Sequence, residues 1–318
     1  MEKFKWVYIG SGGIARTTAN NIVGKRHEIV AVYSRNFNTA KAFADRYKAK
    51  AYETAQEAIC HSGADAVYIA TPHTSHVEYA KMALERGIPV LCEKPVGVSA
   101  DDVEELIRTA KENNTYFAEA MWTWFSPVAL KVKEWVKAGR IGDVTEVVIH
   151  HAYPGLSKAK DSRVRNPMTA GGALLDIGIY PITYCYNIFG YPDEIFCDGE
   201  LEDGIDIAEN VTLRYGKSFC FLHMNFRYLK EDCVIKGTKG TIKVPLFHVS
   251  PAVFLKSGVK IRAFAGKTDY LTEFDRVAEE IRSGKKESEY IPFEATLNCM
   301  RIMDECRKIM GLKYPFEK

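Results

Sequence analysis

The feature that most constrains the fold is a short apolar run, Trp6-Val7-Tyr8-Ile9, that breaks into Gly10-Ser11-Gly12-Gly13-Ile14-Ala15 and resumes as a helix-forming segment. A strand that ends in a glycine-rich turn and restarts as a helix is the opening of a βαβ unit. The segment fits G-x-G-x-x-A. Gly10 permits the tight turn, Gly12 lets a pyrophosphate approach the backbone, and the small Ala15 lets helix and strand pack closely. The amides and partial positive charge of the helix N-terminus then favour phosphate. Residues 10–15, including Ser11, Gly13 and Ile14, are expected to bind a dinucleotide.

Strand and helix signals alternate through the first ~120 residues. After the helix from Ala15 to Val23 come strand 27–33, helix 39–47, a brief strand at Ala51-Tyr52 and strand 64–70. A helix from His76 to Arg86 stops at Gly87, a common helix-ending residue. Ile88-Pro89-Val90-Leu91-Cys92 leads into Glu93-Lys94-Pro95, Ser99 opens a helix to Lys111, and Thr115 to Ala120 is a last strand. Interleaving of this kind implies a parallel sheet covered on both faces. The pattern then changes. Pro127 to Ala138 is a helix and Val144 to His151 a strand, and strand-like runs from Glu194 to Val244 are broken by Gly199, Gly204, Gly216 and Gly237. Strands joined by short turns imply antiparallel pairing. Helices return at Thr272 to Ser283 and Thr296 to Gly311. The fold class is α/β: a Rossmann-type, doubly wound parallel sheet over residues 1–121, then an α+β domain with an open-faced, mostly antiparallel sheet over 122–318.

Composition narrows the function classes. The chain has 318 residues, a comfortable length for two domains. Lys plus Arg number 43 against 41 Asp plus Glu, a net +2, so no strong field favours nucleic acid or an anionic membrane. No segment approaches the roughly 20 apolar residues of a membrane span. The cysteines at 60, 92, 185, 197, 220, 233, 299 and 306 form no Cys-x-x-Cys and mostly lie in apolar runs. That usage, and an N-terminus without signal-peptide form, points to free thiols in a reducing cytoplasm.

In a doubly wound sheet ligands sit beyond the carboxyl ends of the strands. Glu93 and Lys94 end a strand there, with Pro95 holding the backbone, and a lysine so placed beside a dinucleotide site suggests an oxidoreductase. The second strand ends in Tyr33-Ser34-Arg35-Asn36, where an acid would engage the ribose diol of NAD. Ser34 and Arg35 instead suit a 2′-phosphate, which a guanidinium clamps. NADP is therefore the expected cofactor, with NAD the alternative. Thr71, Pro72, His73 and His76 follow the central strand and are expected to line the same crevice, as cofactor ribose donors or as caps of the next helix. No acid or cysteine stands at ligand spacing from His73 and His76, and His150 and His151 point to opposite faces of a strand. No metal is expected. Asp176 and Tyr180 are the polar residues of Gly171-Gly172-Ala173-Leu174-Leu175-Asp176-Ile177-Gly178-Ile179-Tyr180-Pro181; a spacing of four puts both on one helical face. A capping aspartate and a core tyrosine fit that segment equally.

Together, Gly10 to Ala15, Glu93-Lys94-Pro95 and Gly171 to Gly178 resemble the glucose–fructose oxidoreductase, inositol dehydrogenase and rhizopine-catabolism (Gfo/Idh/MocA) family, over essentially the whole chain. Many members have histidine four residues after the aspartate, where this chain has Tyr180. That departure, with Glu119-Ala120-Met121-Trp122-Thr123-Trp124-Phe125 and Ile302-Met303-Asp304-Glu305, is most similar to the branch of dimeric dihydrodiol dehydrogenases and NADP-dependent D-xylose dehydrogenases. That branch often has arginine in place of Trp124. The resemblance implies hydride transfer between a nicotinamide and a sugar, polyol or diol, with Lys94 and Tyr180 catalytic and Asp176 supporting them. It also implies a homodimer built through the second-domain sheet. The rivals are an NAD-dependent inositol or other polyol dehydrogenase, and a nucleotide-sensing regulator without turnover.

Overall fold

The computed structural model describes residues 2–267 and 269–317. They form two compact units: Met1–Trp122 with Asp269–Thr296, and Thr123–Thr268 with Leu297–Lys318.

The first unit is built on six parallel strands: β1 (Phe4–Ile9), β2 (His27–Tyr33), β3 (Lys50–Tyr52), β4 (Ala66–Ile69), β5 (Val90–Glu93) and β6 (Phe117–Ala120). Their order is β3-β2-β1-β4-β5-β6. Every residue of β4, β5 and β6 is buried, the signature of strands covered on both faces. The covering helices are α1 (Gly13–Ile22), α2 (Phe37–Tyr47), α3 (Ala55–His61), α4 (His76–Leu84) and α5 (Ala100–Glu112). Side chains start three of them: Asn36 caps α2, Thr54 caps α3, and Ser99 accepts from Asp102 N–H at the head of α5. The order of strands reverses direction between β1 and β4, which opens a crevice beyond their carboxyl ends.

The second unit begins with α6 (Pro127–Lys137) and the long central strand β7 (Val144–Ala152). Helix α7 (Ile179–Phe189) follows a π-helical turn, Leu174–Gly178. Then come β8 (Glu194–Glu202), β9 (Ile205–Tyr215), β10 (Ser218–Asn225), β11 (Lys230–Gly237), β12 (Gly240–Pro245), β13 (Ala252–Ser257) and β14 (Lys260–Ala265). The sheet order is β14-β13-β12-β11-β7-β10-β9-β8. β7 and β10 pair in parallel, and every other neighbouring pair is antiparallel. One face is buried through Val147, Ile149, Leu213, Cys220, Leu222, Cys233, Ile235 and Ile242. On the other face the register aligns a single row across the sheet, Phe196–Thr212–Phe221–Val148–Val234–Lys243–Phe254.

Helices α8 (Tyr270–Arg282) and α9 (Phe293–Met310) complete the chain. Here the second-domain span of 122–318 is corrected. Segment Asp269–Thr296 belongs to the first unit, because α8 packs beside α1 and buries Phe274 against Trp6 and Tyr68, with ring centroids 4.9 and 5.1 Å apart. Three further elements escape the sequence reading. α3 is only seven residues long, and β13 and β14 lie beyond Val244, the last with almost every residue exposed and so without alternation. The eight cysteines are free thiols, six of them buried. No helix among the described residues is long and apolar enough to cross a membrane.

Candidate active site

In the first unit the turns after β1, β2 and β4 surround a cleft of about 310 Å³. Gly10, Ser11 and Gly12 form one wall, Tyr33, Ser34 and Arg35 a second, and Ala70, Thr71 and Pro72 a third. Gly10 has φ +110°, and a Cβ there would lie 2.5 Å from the Ala70 carbonyl oxygen. Gly12 and Gly13 differ: among the described residues, nothing beyond the adjoining backbone lies within 4 Å of where their Cβ atoms would be. Their backbone is open to a phosphate, and amides at the start of α1 supply donors for it. A chain of hydroxyls ties the walls together. Ser11 donates to Thr39 Oγ1 at 3.2 Å, and Thr39 Oγ1 lies 3.3 Å from Ser34 Oγ. No carboxylate stands at the end of β2; Arg35 is exposed there beside the N-terminus of α2. The donor set fits a dinucleotide with an additional phosphate on its adenosine ribose.

The cleft also includes Ser75, from the loop after the central strand, and Arg16, Thr39 and Tyr79, which the sequence reading did not single out. Arg16 had a legible signal, since a cation in the first turn of the helix after the glycines faces pyrophosphate. Tyr79 had none, because its place follows from packing against Tyr33, 5.9 Å between ring centroids. His76 is corrected. It is fully buried and does not line the cleft; Nδ1 lies 2.8 Å from Pro95 O and Nε2 2.8 Å from Thr71 O. Both ring nitrogens are engaged by backbone, so His76 ties the loop after β4 to the loop after β5. His73 sits in the short 3₁₀ turn His73–Ser75, its ring 5.9 Å from that of His76.

Lys94 follows the last residue of β5 and joins Pro95 through a cis peptide bond. Behind it lie three buried carboxyls. Glu93 accepts a hydrogen bond from Tyr68 OH. Glu119, on β6, is pushed up to about 7 by burial, opposed by bonds from Thr296 and the Val96 N–H and by the charge of Lys94. Glu273, on α8, is pushed up by burial and by the charges of Glu93 and Glu119. Neither Glu119 nor Glu273 stands near Lys94 in sequence, and neither was anticipated as part of its setting.

In the second unit Gly172 has φ +128° and packs against Asp206, whose carboxylate occupies the space a Cβ would need. Asp206 is buried and accepts from Leu174 N–H at 2.5 Å, fixing the start of the π-helical turn. Glu209 is buried on the same strand, and burial together with the Asp206 charge raises its pKa. The turn places Asp176 between Tyr153 OH (2.9 Å to Oδ2) and Arg163 Nη2 (2.8 Å to Oδ1). Tyr180, one residue into α7, lies against the rings of His151 and His248 at 5.4 and 5.2 Å. His150 and His151 do project to opposite faces, His150 to Asp232 at 2.8 Å and His151 to the Ile177 carbonyl at 3.1 Å. Sequence reading missed Tyr153, Arg163, Asp206, His151 and His248 as neighbours, since only folding brings these separate strands and turns together. Trp124 stacks on Tyr186 at 6.4 Å, and its buried indole N–H has no hydrogen-bond partner among the described residues.

The family model described as an oxidoreductase family with an NAD-binding Rossmann fold matches residues 4–120, and the Gfo/Idh/MocA C-terminal domain matches 129–243. The chain is 30% identical to mouse trans-1,2-dihydrobenzene-1,2-diol dehydrogenase, covering 99% of each protein. It is 29% identical to the NADP⁺-dependent D-xylose 1-dehydrogenase of Hypocrea jecorina, over 98% of this chain and 93% of that one. The crystal structure of a 3-ketoreductase from Actinomadura kijaniata, in complex with NADP and TDP-benzene, superposes with a TM-score of 0.89 at 22% identity, over 97% and 98% of the two chains. With a dinucleotide cleft at one sheet's carboxyl edge and both family regions matched in order, this chain is an oxidoreductase of the Gfo/Idh/MocA family, its first unit an NAD(P)-binding Rossmann domain.

Proposed function

We propose that the protein is an NADP-dependent dehydrogenase or reductase of a sugar, polyol or trans-dihydrodiol. The observation that carries the cofactor half of this reading is the end of β2, where Ser34, Arg35 and Thr39 gather hydroxyls and a guanidinium with no carboxylate. A diol would be held by an acid there; a 2′-phosphate is held by these groups. The substrate half rests on the full-length likeness to relatives named for diol and D-xylose oxidation.

When bound, the nicotinamide supplies or accepts hydride at C4. In our reading Gly10, Ser11, Gly12, Gly13, Ile14 and Ala15 hold the pyrophosphate, Thr71, Pro72 and His73 face the ribose side, and Glu93 and Lys94 lie at the reacting end. Lys94 donates to the substrate oxygen and stabilises negative charge as it develops there. Tyr180 takes the hydroxyl proton during oxidation and returns it during reduction. Asp176, held by Tyr153 and Arg163, orients substrate.

The assay that tests the reading follows reduced-nicotinamide absorbance with aldoses, polyols and vicinal diols, each with NADP⁺ and NAD⁺. Turnover of one of these classes with NADP⁺ preferred is expected; turnover of none, or preference for NAD⁺, refutes it.

The same reading includes a homodimer. The outer row of the second sheet leaves Phe196 at 52% and Phe254 at 44% exposure, with Phe219 stacked on the row's Phe221. A second copy covers such a face by two-fold pairing. Light scattering is expected to give a dimeric mass at micromolar concentration, and Phe221→Glu, in the middle of the row, a monomeric one.

A further inference from the structure

We propose that Glu231, His248 and His151 are positioning residues for Tyr180, a ring clamp that fixes the phenol. The inference rests on the reading of Tyr180 as the proton-transfer group. Three rings touch mutually: Tyr180 with His151 at 5.4 Å, Tyr180 with His248 at 5.2 Å, and His151 with His248 at 4.8 Å. Each imidazole is held from behind. His151 Nδ1 donates to the carbonyl of Ile177, three residues before Tyr180, so that ring is locked to the turn that carries the phenol. His248 Nδ1 lies 2.6 Å from Glu231 Oε1, which also accepts from the His248 backbone N–H at 2.8 Å. Glu231 on β11 is the cross-strand partner of His151 on β7. Sheet register therefore brings carboxylate and imidazole together, and the turn after β12 delivers His248.

Plain core packing does not account for this set. Withdrawing a carboxylate and two imidazoles from water, His151 fully and Glu231 and His248 in part, costs free energy that a leucine or phenylalanine in the same place would not. The bond pattern also has a chemical direction. A carboxylate bonded to one imidazole fixes how that ring faces, and a fixed ring against the phenol fixes the direction in which the phenol O–H is presented. Burial opposes ionisation of Glu231, but the bonds and charge of His248 outweigh it and hold the carboxyl below its ordinary range. The other titratable groups around the turn are accounted for. Asp176 is bonded to Tyr153 and Arg163, and Asp206 binds Leu174 N–H on the β9 side. Glu209, also on β9, is kept toward its neutral form by burial and by Asp206. Asp232 points away, to His150. Glu231 is thus the carboxylate whose partner touches the Tyr180 ring.

The test is the pH profile of kcat for alcohol oxidation in Glu231→Gln and His248→Gln. Either change breaks the bond that fixes the His248 ring, so the alkaline-favouring limb should shift from its wild-type position by roughly 0.5–1.5 pH units and neutral-pH kcat should fall about tenfold. Coenzyme Kd should stay within about twofold, since its cleft lies in the first unit. In a Tyr180→Phe background the same changes should have no further effect on the limb, the non-additivity expected of one coupled device. His248→Gln keeps an N–H for Glu231, so it carries the test if Glu231→Gln does not fold. If Tyr180→Phe is impaired while both variants keep the wild-type limb, or if their losses add fully to that of Tyr180→Phe, the clamp is refuted. If Tyr180→Phe itself keeps rate and limb, the reading of Tyr180 fails instead.

Discussion

Lys94 and Tyr180 are set in opposite ways. Lys94 directly follows a fully buried parallel strand, and the strand itself places it; behind it are carboxyls, Glu93, Glu119 and Glu273, drawn from β5, β6 and α8. Tyr180 follows a π-helical turn that no sheet ladder holds. Its position depends on side-chain bonds from distant segments, with Asp206 at Leu174 N–H, His151 at Ile177 O, and Tyr153 and Arg163 at Asp176. The lesson is about where precision comes from. Regular backbone fixes the first residue with local sequence, whereas the second needs a network, and networks fail in more ways than strand ends do.

The largest effect should come from the residue that moves the proton. Tyr180→Phe removes one oxygen and leaves the ring against His151 and His248, so kcat should fall by roughly 10²–10⁴, the usual range for a general acid–base group. The alkaline-favouring limb of the oxidation profile should vanish with it. A variant that keeps both rate and limb places the proton elsewhere.

Lys94→Met is expected to bring kcat below about a tenth of wild type, because a tenfold loss corresponds to only ~1.4 kcal/mol and a charge on a developing alkoxide contributes more. Coenzyme binding should persist, since the pyrophosphate cradle is Gly10 to Ala15. Single-turnover kinetics with a separate coenzyme titration measure the two terms independently. Loss of coenzyme affinity alone would make Lys94 a cofactor residue and erase the contrast with Tyr180.

The contrast also explains what was legible in the sequence. β2 was read at its observed bounds, and the glycine turn, the α5 cap at Ser99 and the Lys94 strand end were found because each depends on neighbours within a few residues. Thr39, which carries the hydroxyl chain from Ser11 to Ser34, was read only as the start of α2. His151 was seen only as one of two alternating side chains, since its partners lie 26, 29, 80 and 97 residues further on, at Ile177, Tyr180, Glu231 and His248. Asp206 was invisible for the same reason. Its role depends on Gly172 having no Cβ, and a glycine pair alone does not say what fills the space. The placement of α8 needed the Trp6–Phe274–Tyr68 packing, which no local pattern encodes.

Arg35 probes the local side of the comparison at a smaller scale. One charge-assisted contact to a 2′-phosphate is worth roughly 1.5–3 kcal/mol, about one to two decades of affinity. Arg35→Ala should therefore weaken NADPH by that factor while leaving NADH nearly unchanged, read by fluorescence titration of each coenzyme. Equal weakening of both would mean that Arg35 meets a group the two cofactors share.

Glu119 tests the smallest term, the cost of placing carboxyls behind Lys94. Burial raises its pKa from 4.5 to about 7, so the folded state holds this proton more tightly than the unfolded chain does. Between those values the unfolded chain ionises first, and stability falls as pH rises. Below pH 4.5 there is no penalty, and above pH 7 it is fully present. With 1.36 kcal/mol per pKa unit, this one group should cost on the order of 2 kcal/mol between pH 5 and 7.5. Glu119→Gln removes the titration, so its unfolding free energy, measured in urea at several pH values, should lack that part of the decline and exceed wild type most clearly above pH 7. Lys94→Met provides the internal control. Its lost charge should push Glu119 higher still, since Lys94 lowers that pKa in the wild type, and extend the decline to higher pH. A Glu119→Gln curve parallel to wild type throughout would show that the carboxyl is as well solvated as in the unfolded chain, and that Lys94 rests on its strand alone.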